Sequence, residues 1–158
     1  MKILVKKIHD DAIIPEFAHV TDSGADLYTS KDLSLAPRQK GIAPTGICVA
    51  LPPGFGATIR NKSGNTVKGI SCKIKVNEEG LFASGRVDVT VYLGTIDNAY
   101  RGEIGIMVRN DSDFPIVIPK GTKLAQLVLE KIYQCNFEEV DSLDETDRGE
   151  GGFGSTGH

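Results

Sequence analysis

Five short stretches of the chain set a glycine beside a charged or hydroxyl-bearing residue at a turn: DSGADL (22–27), RNKSGN (60–65), GTIDNAYRGE (94–103), GTKLAQL (121–127) and RGEGGFGSTG (148–157). Glycine lets backbone amides approach a ligand closely. A neighbouring carboxylate, ammonium or hydroxyl can then hold an anion or move a proton. In the third stretch the turn DNAYRG can aim Asp97 and Tyr100 at one point, between backbone groups suited to a planar ring. In the second, Lys62, Ser63 and Gly64 precede a short helix expected around Asn65 to Lys68, and amides at a helix start favour anions. Asp26 follows a glycine turn, and Gln126 sits within an apolar strand, where its amide needs partners. Taken singly, each stretch also reads as an ordinary polar turn or a satisfied core amide.

The elements that must position these residues are strands. Period-two alternation and short apolar runs recur, and helical periodicity is nearly absent. KILVKKI opens as a strand, and GICVALPPGFGATIRN reads as strand, PPG turn, strand. ISCKIKV, turn NEEG and RVDVTVY form a hairpin, with Val87, Val89 and Val91 on one face of a single strand. GTIDNAYRGEIGI reads as a second hairpin, and EIGIMVRN puts Ile104 and Ile106 on one face. FPIVIPKGTKLAQLVLEKIY gives a short strand, a PKG turn and a longer strand. The expectation is an all-β sandwich or jelly roll with at most one short helix.

The chain has 158 residues, enough for one domain with a core. Aromatics are 6% and Trp is absent, so that core must be aliphatic. A net charge of −3 and no basic run longer than two lysines argue against a nucleic-acid polymer as partner. No apolar run reaches the length of a membrane span, and MKILVKKIHDD is too interrupted by lysine for a signal peptide. Cys48, Cys72 and Cys135 lack metal-ligand spacing and read as free thiols of a reducing compartment, the cytoplasm. His9, His19 and His158 stand in unrelated settings. The segment from Val140 onward turns acidic and then glycine-rich, the composition of a flexible arm over 141–158 behind a β domain over 1–140.

The five stretches, in this order, resemble the five motifs of the trimeric dUTPase family, from about Ser23 to Gly157, with GTIDNAYRGE and RGEGGFGSTG the most specific pieces. The resemblance implies a distorted jelly-roll fold of the dUTPase type, a homotrimer whose active sites are shared between subunits, and hydrolysis of dUTP to dUMP and pyrophosphate with Mg²⁺. It implies that Asp97 activates the attacking water. The backbone from Gly94 and Ile96 to Gly105 and Ile106 would read uracil, and Tyr100 would pack on the sugar and exclude a 2′-hydroxyl. Ser63 and Gly64 would contact phosphate, with Lys62 in the position of their cationic neighbour. Gln126 would anchor near the phosphates, and Asp26 would hold the ion through water. In the arm, Arg148 would pair with the terminal phosphate, Phe153 would cover the base, and Gly154, Ser155 and Thr156 would close on the phosphates.

Two departures stand out. Lys62 occupies a place where the family usually has arginine, which costs the bidentate fork. Arg60, two residues earlier, could compensate only if its strand continues through Lys62. The interval between the second and third motifs is also longer than usual, and the extra material over about 72–89 reads as an added hairpin. A dCTP deaminase or bifunctional relative is the nearest rival, but it would want a carboxylate in RNKSGN, which has none. A nucleotide-gated binding or regulatory protein is the other alternative, one for which Asp97 would have no use.

Overall fold

Alternation becomes strands along most of the chain. The computed structural model describes residues 1–77 and 79–151, so the expectations for Phe153, Gly154, Ser155 and Thr156 lie outside the described residues. Within them the strands are β1 (Leu4–Lys7), β2 (Gly24–Tyr28), β3 (Leu33–Leu35), β4 (Lys40–Pro44), β5 (Ile47–Ala50) and β6 (Phe55–Asn61). The helix α1 (Ser63–Lys68) follows, then β7 (Ile70–Lys75), β8 (Phe82–Val87), β9 (Val89–Val91), β10 (Gly94–Ile96), β11 (Gly105–Asn110), β12 (Ile116–Ile118) and β13 (Lys123–Lys131). The sheets run β10-β6-β13-β2, β4-β11-β9, β3-β12-β7-β8 and β1-β5, and every pairing is antiparallel. The expected all-β class, with a single short helix among the described residues, is what the chain adopts.

One aliphatic cluster joins the sheets. Leu27, Ile59 and Leu124 meet Ala43, Ile106 and Val108, and Ile70, Ile116 and Ile118 complete it. Each buried Leu, Ile or Val among them contributes about 1.5–3 kcal/mol on leaving water. Asn110, fully buried, is the polar rivet: its amide donates to Leu35 O (3.4 Å), Ala36 O (3.0 Å) and Phe114 O (2.7 Å). Those bonds tie β11 to the end of β3 and to the loop before β12.

Two sequence expectations need correction. RVDVTVY is two strands rather than one. Val87 ends β8 opposite Ile70 of β7, whereas Val89 opens β9 opposite Asn110 of β11. Alternation specifies which face a residue presents, not which neighbour its strand pairs with. The chain therefore changes sheets at Asp88 while Val87, Val89 and Val91 all stay buried. GTIDNAYRGEIGI is likewise not a paired hairpin. Its turn forms, with Tyr100 N donating to Asp97 O (3.0 Å), but β10 pairs with β6 and β11 pairs with β4 and β9. The two strands diverge into different sheets and leave a cleft between them.

Candidate active site

That cleft is a cavity of about 330 Å³ walled by Gly94, Thr95, Ile96, Asp97, Tyr100, Glu103 and Gly105, together with Ile42, Ile59 and Met107. Because β10 and β11 do not bond each other, the cavity has strand backbone on both walls, and its volume suits a small planar ring. Asp97 is exposed, one residue beyond Ile96, whose side chain is buried. Asn98 holds that corner, its amide donating to Leu51 O (3.3 Å), Pro52 O (2.6 Å) and Phe55 O (2.9 Å). The Tyr100 hydroxyl donates to Glu103 O (2.9 Å), and Glu103 Oε1 accepts from Gly46 N (2.7 Å). Gly105 is required by space, since a Cβ there would lie 2.5 Å from Ile42 Cγ2. Ile106 is fully buried and lies outside the cavity lining.

A second group gathers around Asp26, which is 1% exposed. β2 carries it opposite Gln126 of β13, and Gln126 in turn stands opposite Arg60 of β6. The Gln126 amide donates to Asp26 Oδ1 (3.3 Å) and Gly24 O (3.4 Å). It can lie there because Gly24 has no side chain; a Cβ would come within 2.9 Å of Gln126 Cβ. Lys62 Nζ donates to Asp26 Oδ1. Asp26 Oδ2 lies 2.7 Å from Lys123 Nζ, an ion pair in distance, though its angle is outside hydrogen-bond geometry and the oxygen has no hydrogen-bond partner. Ser63 and Gly64 open α1 and are exposed. Asn65 ties the helix to β13, donating to Lys123 O (3.0 Å) and Leu124 O (3.2 Å).

Arg60 does not replace the missing fork. β6 ends at Asn61, and the Arg60 guanidinium is engaged by Glu130 and by the Thr58 hydroxyl (3.1 Å). Lys123 was absent from the residues singled out in the sequence. Standing three positions from Gln126, it belongs on the opposite face of a regular strand. A register shift between Lys123 and Ala125 brings both side chains to Asp26, and only such a bulge can do that. Asn98 and Glu103 were also passed over within GTIDNAYRGE, where nothing distinguishes a clamp from a turn former.

Burial alone would raise the Asp26 pKa, but the Lys123 and Lys62 ammonium groups beside it outweigh that and hold the carboxyl below its ordinary 3.8. Lys123 is pushed up, first by Asp26 and then by Tyr28. The stabilisation from Asp26 is therefore complete above the unfolded value of 3.8 and is lost as pH falls through the lower folded value. Asp26→Asn should cost about 2 kcal/mol at neutral pH, less than a fully buried pair because solvent screens the half-exposed Lys123. Thermal melts between pH 7 and 2.5 check this: the two proteins should converge on acidification, and a gap that stays constant would remove the ion-pair account.

The predicted residues thus fall into separate groups. None of Asp26, Lys62, Ser63, Gly64 or Gln126 lines the cavity beside Asp97. Arg148 stands apart from both, exposed, with Nε donating to Gly151 O (2.9 Å).

Comparison with known proteins identifies the family and the fold. The model of the dUTPase family matches residues 10–78 and 77–157, and the two matches meet at the turn between β7 and β8. The deoxyuridine 5'-triphosphate nucleotidohydrolase of Clostridioides difficile is 40% identical over 153 residues, covering 97% of this chain and 96% of that protein. A mutant dUTPase of Staphylococcus bacteriophage 80alpha with dUpNHpp superposes with a TM-score of 0.82 at 25% identity, over 99% of each chain. A mutant dUTPase of phage phi11 of S. aureus, with a structural Mg(II) ion, superposes with a TM-score of 0.74 at 22% identity, over 92% of this chain and 100% of that one. With the family's pattern running along nearly all of its length on a matching fold, this chain belongs to the dUTPase family.

Proposed function

We propose that this protein hydrolyses dUTP to dUMP and pyrophosphate, and that Asp97 is the general base. The observation that carries the reading is an exposed carboxylate at the mouth of a ring-sized cavity between two diverging strands, in a chain of the dUTPase family. Uracil lies between β10 and β11 and meets their backbone groups. A cytosine edge there would leave polar groups unpaired, at a cost that discriminates between the bases. Asp97 accepts a proton from a water as that water's oxygen bonds to the α-phosphorus, and the bond to the pyrophosphate oxygen breaks.

The phosphates lie toward the Asp26 group, where Lys62, Gln126, Ser63 and the Gly64 backbone supply donors. One buried carboxylate beside donors suited to phosphate fits Mg²⁺ held through water on Asp26, whose Oδ2 also lies 2.7 Å from Lys123 Nζ. Most ligand oxygens then come from phosphate and water. When bound, the ion offsets the charge of the departing pyrophosphate. The test of the reaction is pyrophosphate release from dUTP, dCTP and UTP with magnesium. Release from dUTP alone is expected; ammonia from dCTP, or tight binding of dUTP without turnover, would overturn the reading.

A homotrimer is part of the proposal. The separation of the two residue groups within one chain supports a site completed by other copies. So does the apolar face beside the cavity, where Ile42 is 63% and Leu93 66% exposed. The stretch after β13 leaves Tyr133, Phe137 and Leu143 exposed, as a segment that packs on another subunit would. Light scattering should give three times the 17.0 kDa chain mass. No helix among the described residues is long and apolar enough to cross a membrane, and we place the activity on the nucleotide pool of the cytoplasm. Tyr100→Ala should narrow the preference for dUTP over UTP by about tenfold, since the ring is proposed to fill the space of a 2′-hydroxyl; steady-state kcat/KM for both nucleotides measures it. An unchanged ratio would remove the role.

A further inference from the structure

The helix α1 carries Ser63 and Gly64, yet little packing holds it. It is six residues long, none of them is buried, and its N-cap Lys62 makes no side-chain capping bond. A helix this short does not stand by itself in water. Polar bonds fix it instead. Toward its start, Asn61 donates to the Thr66 hydroxyl (2.9 Å), and Asn65 donates to two carbonyls of β13. At its far end the grip comes from β8. Arg86 Nε donates to Lys68 O (2.7 Å), Nη2 to Gly69 O (2.6 Å) and Nη1 to the Ser71 hydroxyl (3.1 Å). A helix terminus leaves such carbonyls without an internal partner, and a cation suits the negative end of its dipole. α1 stops at Gly69, where φ is 67° and a Cβ would come within 2.7 Å of Val87 O of β8. The three acceptors of Arg86 thus all lie at 68–71, outside its own strand.

We propose that Arg86 is a positioning residue: the added hairpin of β7 and β8 holds α1 by its C-terminal end, so that Ser63 and Gly64 stand ready for phosphate. This role rests on the proposed hydrolysis of dUTP. The clamp and the phosphate contacts sit at opposite ends of the helix, about 9 Å apart at roughly 1.5 Å per residue. Arg86 therefore touches no substrate and acts through the backbone between. Without it α1 frays, Ser63 and Gly64 are in place for only a fraction of the time, and apparent affinity falls by that fraction. The ring cavity between β10 and β11 does not have Arg86 among its walls, so its hold on the base should be unaffected.

The test compares Arg86→Met and Arg86→Lys with wild type, by hydrogen exchange of the free proteins and by calorimetry with α,β-imido-dUTP and magnesium. Arg86→Met should speed exchange of the amides at 66–68 and weaken the analogue, each about tenfold, the worth of one charge-assisted hydrogen bond. Exchange in β6 and β13 should stay at the wild-type rate. Inhibition of dUTP hydrolysis by deoxyuridine, which has no phosphate, should stay within about twofold, and KM for dUTP should rise more than kcat falls. Arg86→Lys keeps the charge and a donor but loses the fork, so it should restore part of the loss. It carries the same comparison if the Met variant folds poorly. Unchanged exchange at 66–68, analogue binding equal to wild type, or equal loss of analogue and deoxyuridine would each reduce Arg86 to a tie within the fold. If wild type fails to split dUTP, the proposed function falls and this role with it, whatever the exchange shows.

Discussion

Asp97→Asn is expected to lower kcat by about three orders of magnitude while binding of a non-hydrolysable dUTP analogue stays within a few-fold of wild type. The reasoning is geometric. Asp97 follows β10 directly, and its corner is pinned by the Asn98 amide on three carbonyls of the 51–55 turn. Asparagine has the same shape, so the corner and the cavity should survive. What disappears is the oxygen that accepts the proton of the attacking water, and general-base catalysis supplies about 10²–10⁴-fold. Single-turnover kinetics with dUTP measure the loss and calorimetry with the analogue measures binding. A variant retaining more than a tenth of the wild-type rate would show that another group, or none, takes the proton.

Removing residues 148–158 should lower kcat/KM for dUTP at least a hundredfold and leave the melting temperature within about a degree. Stability should hold because Arg148, Gly149 and Glu150 are exposed and Arg148, Gly149 and Gly151 bond only to near neighbours, as Gly149 N does to Thr146 O (3.0 Å). Nothing of the aliphatic core is lost with it. Activity should fall because Arg148 and Phe153 are proposed to meet phosphate and base. One charge-assisted contact and one ring stack together account for about two orders of magnitude. An unchanged rate would sink the arm's role. A large drop in melting temperature would show that the segment is part of the folded body instead.

Much of the fold was readable because local rules act locally. GICVALPPGFGATIRN became β5, a turn and β6; FPIVIPKGTKLAQLVLEKIY became β12, a turn and β13; and the short helix appeared beside KSGN. The two misreadings share one cause. In RVDVTVY and in GTIDNAYRGEIGI the alternation was right about burial and silent about partners. Strand pairing is a long-range choice, made where two sheets compete for the same chain.

By itself the sequence determined the β class, the aliphatic core, the order of the five glycine-bearing motifs and, through them, the family. Each of these depends on residue type and near-neighbour spacing. Only the tertiary structure decided that β10 and β11 part to open a cavity, that Arg60 is taken by Glu130, and that a bulge in β13 turns Lys123 toward Asp26. Those outcomes depend on which strand lies beside which and in what register. A side chain's partner across a sheet is set by residues dozens of positions away, so no window along the chain contains it.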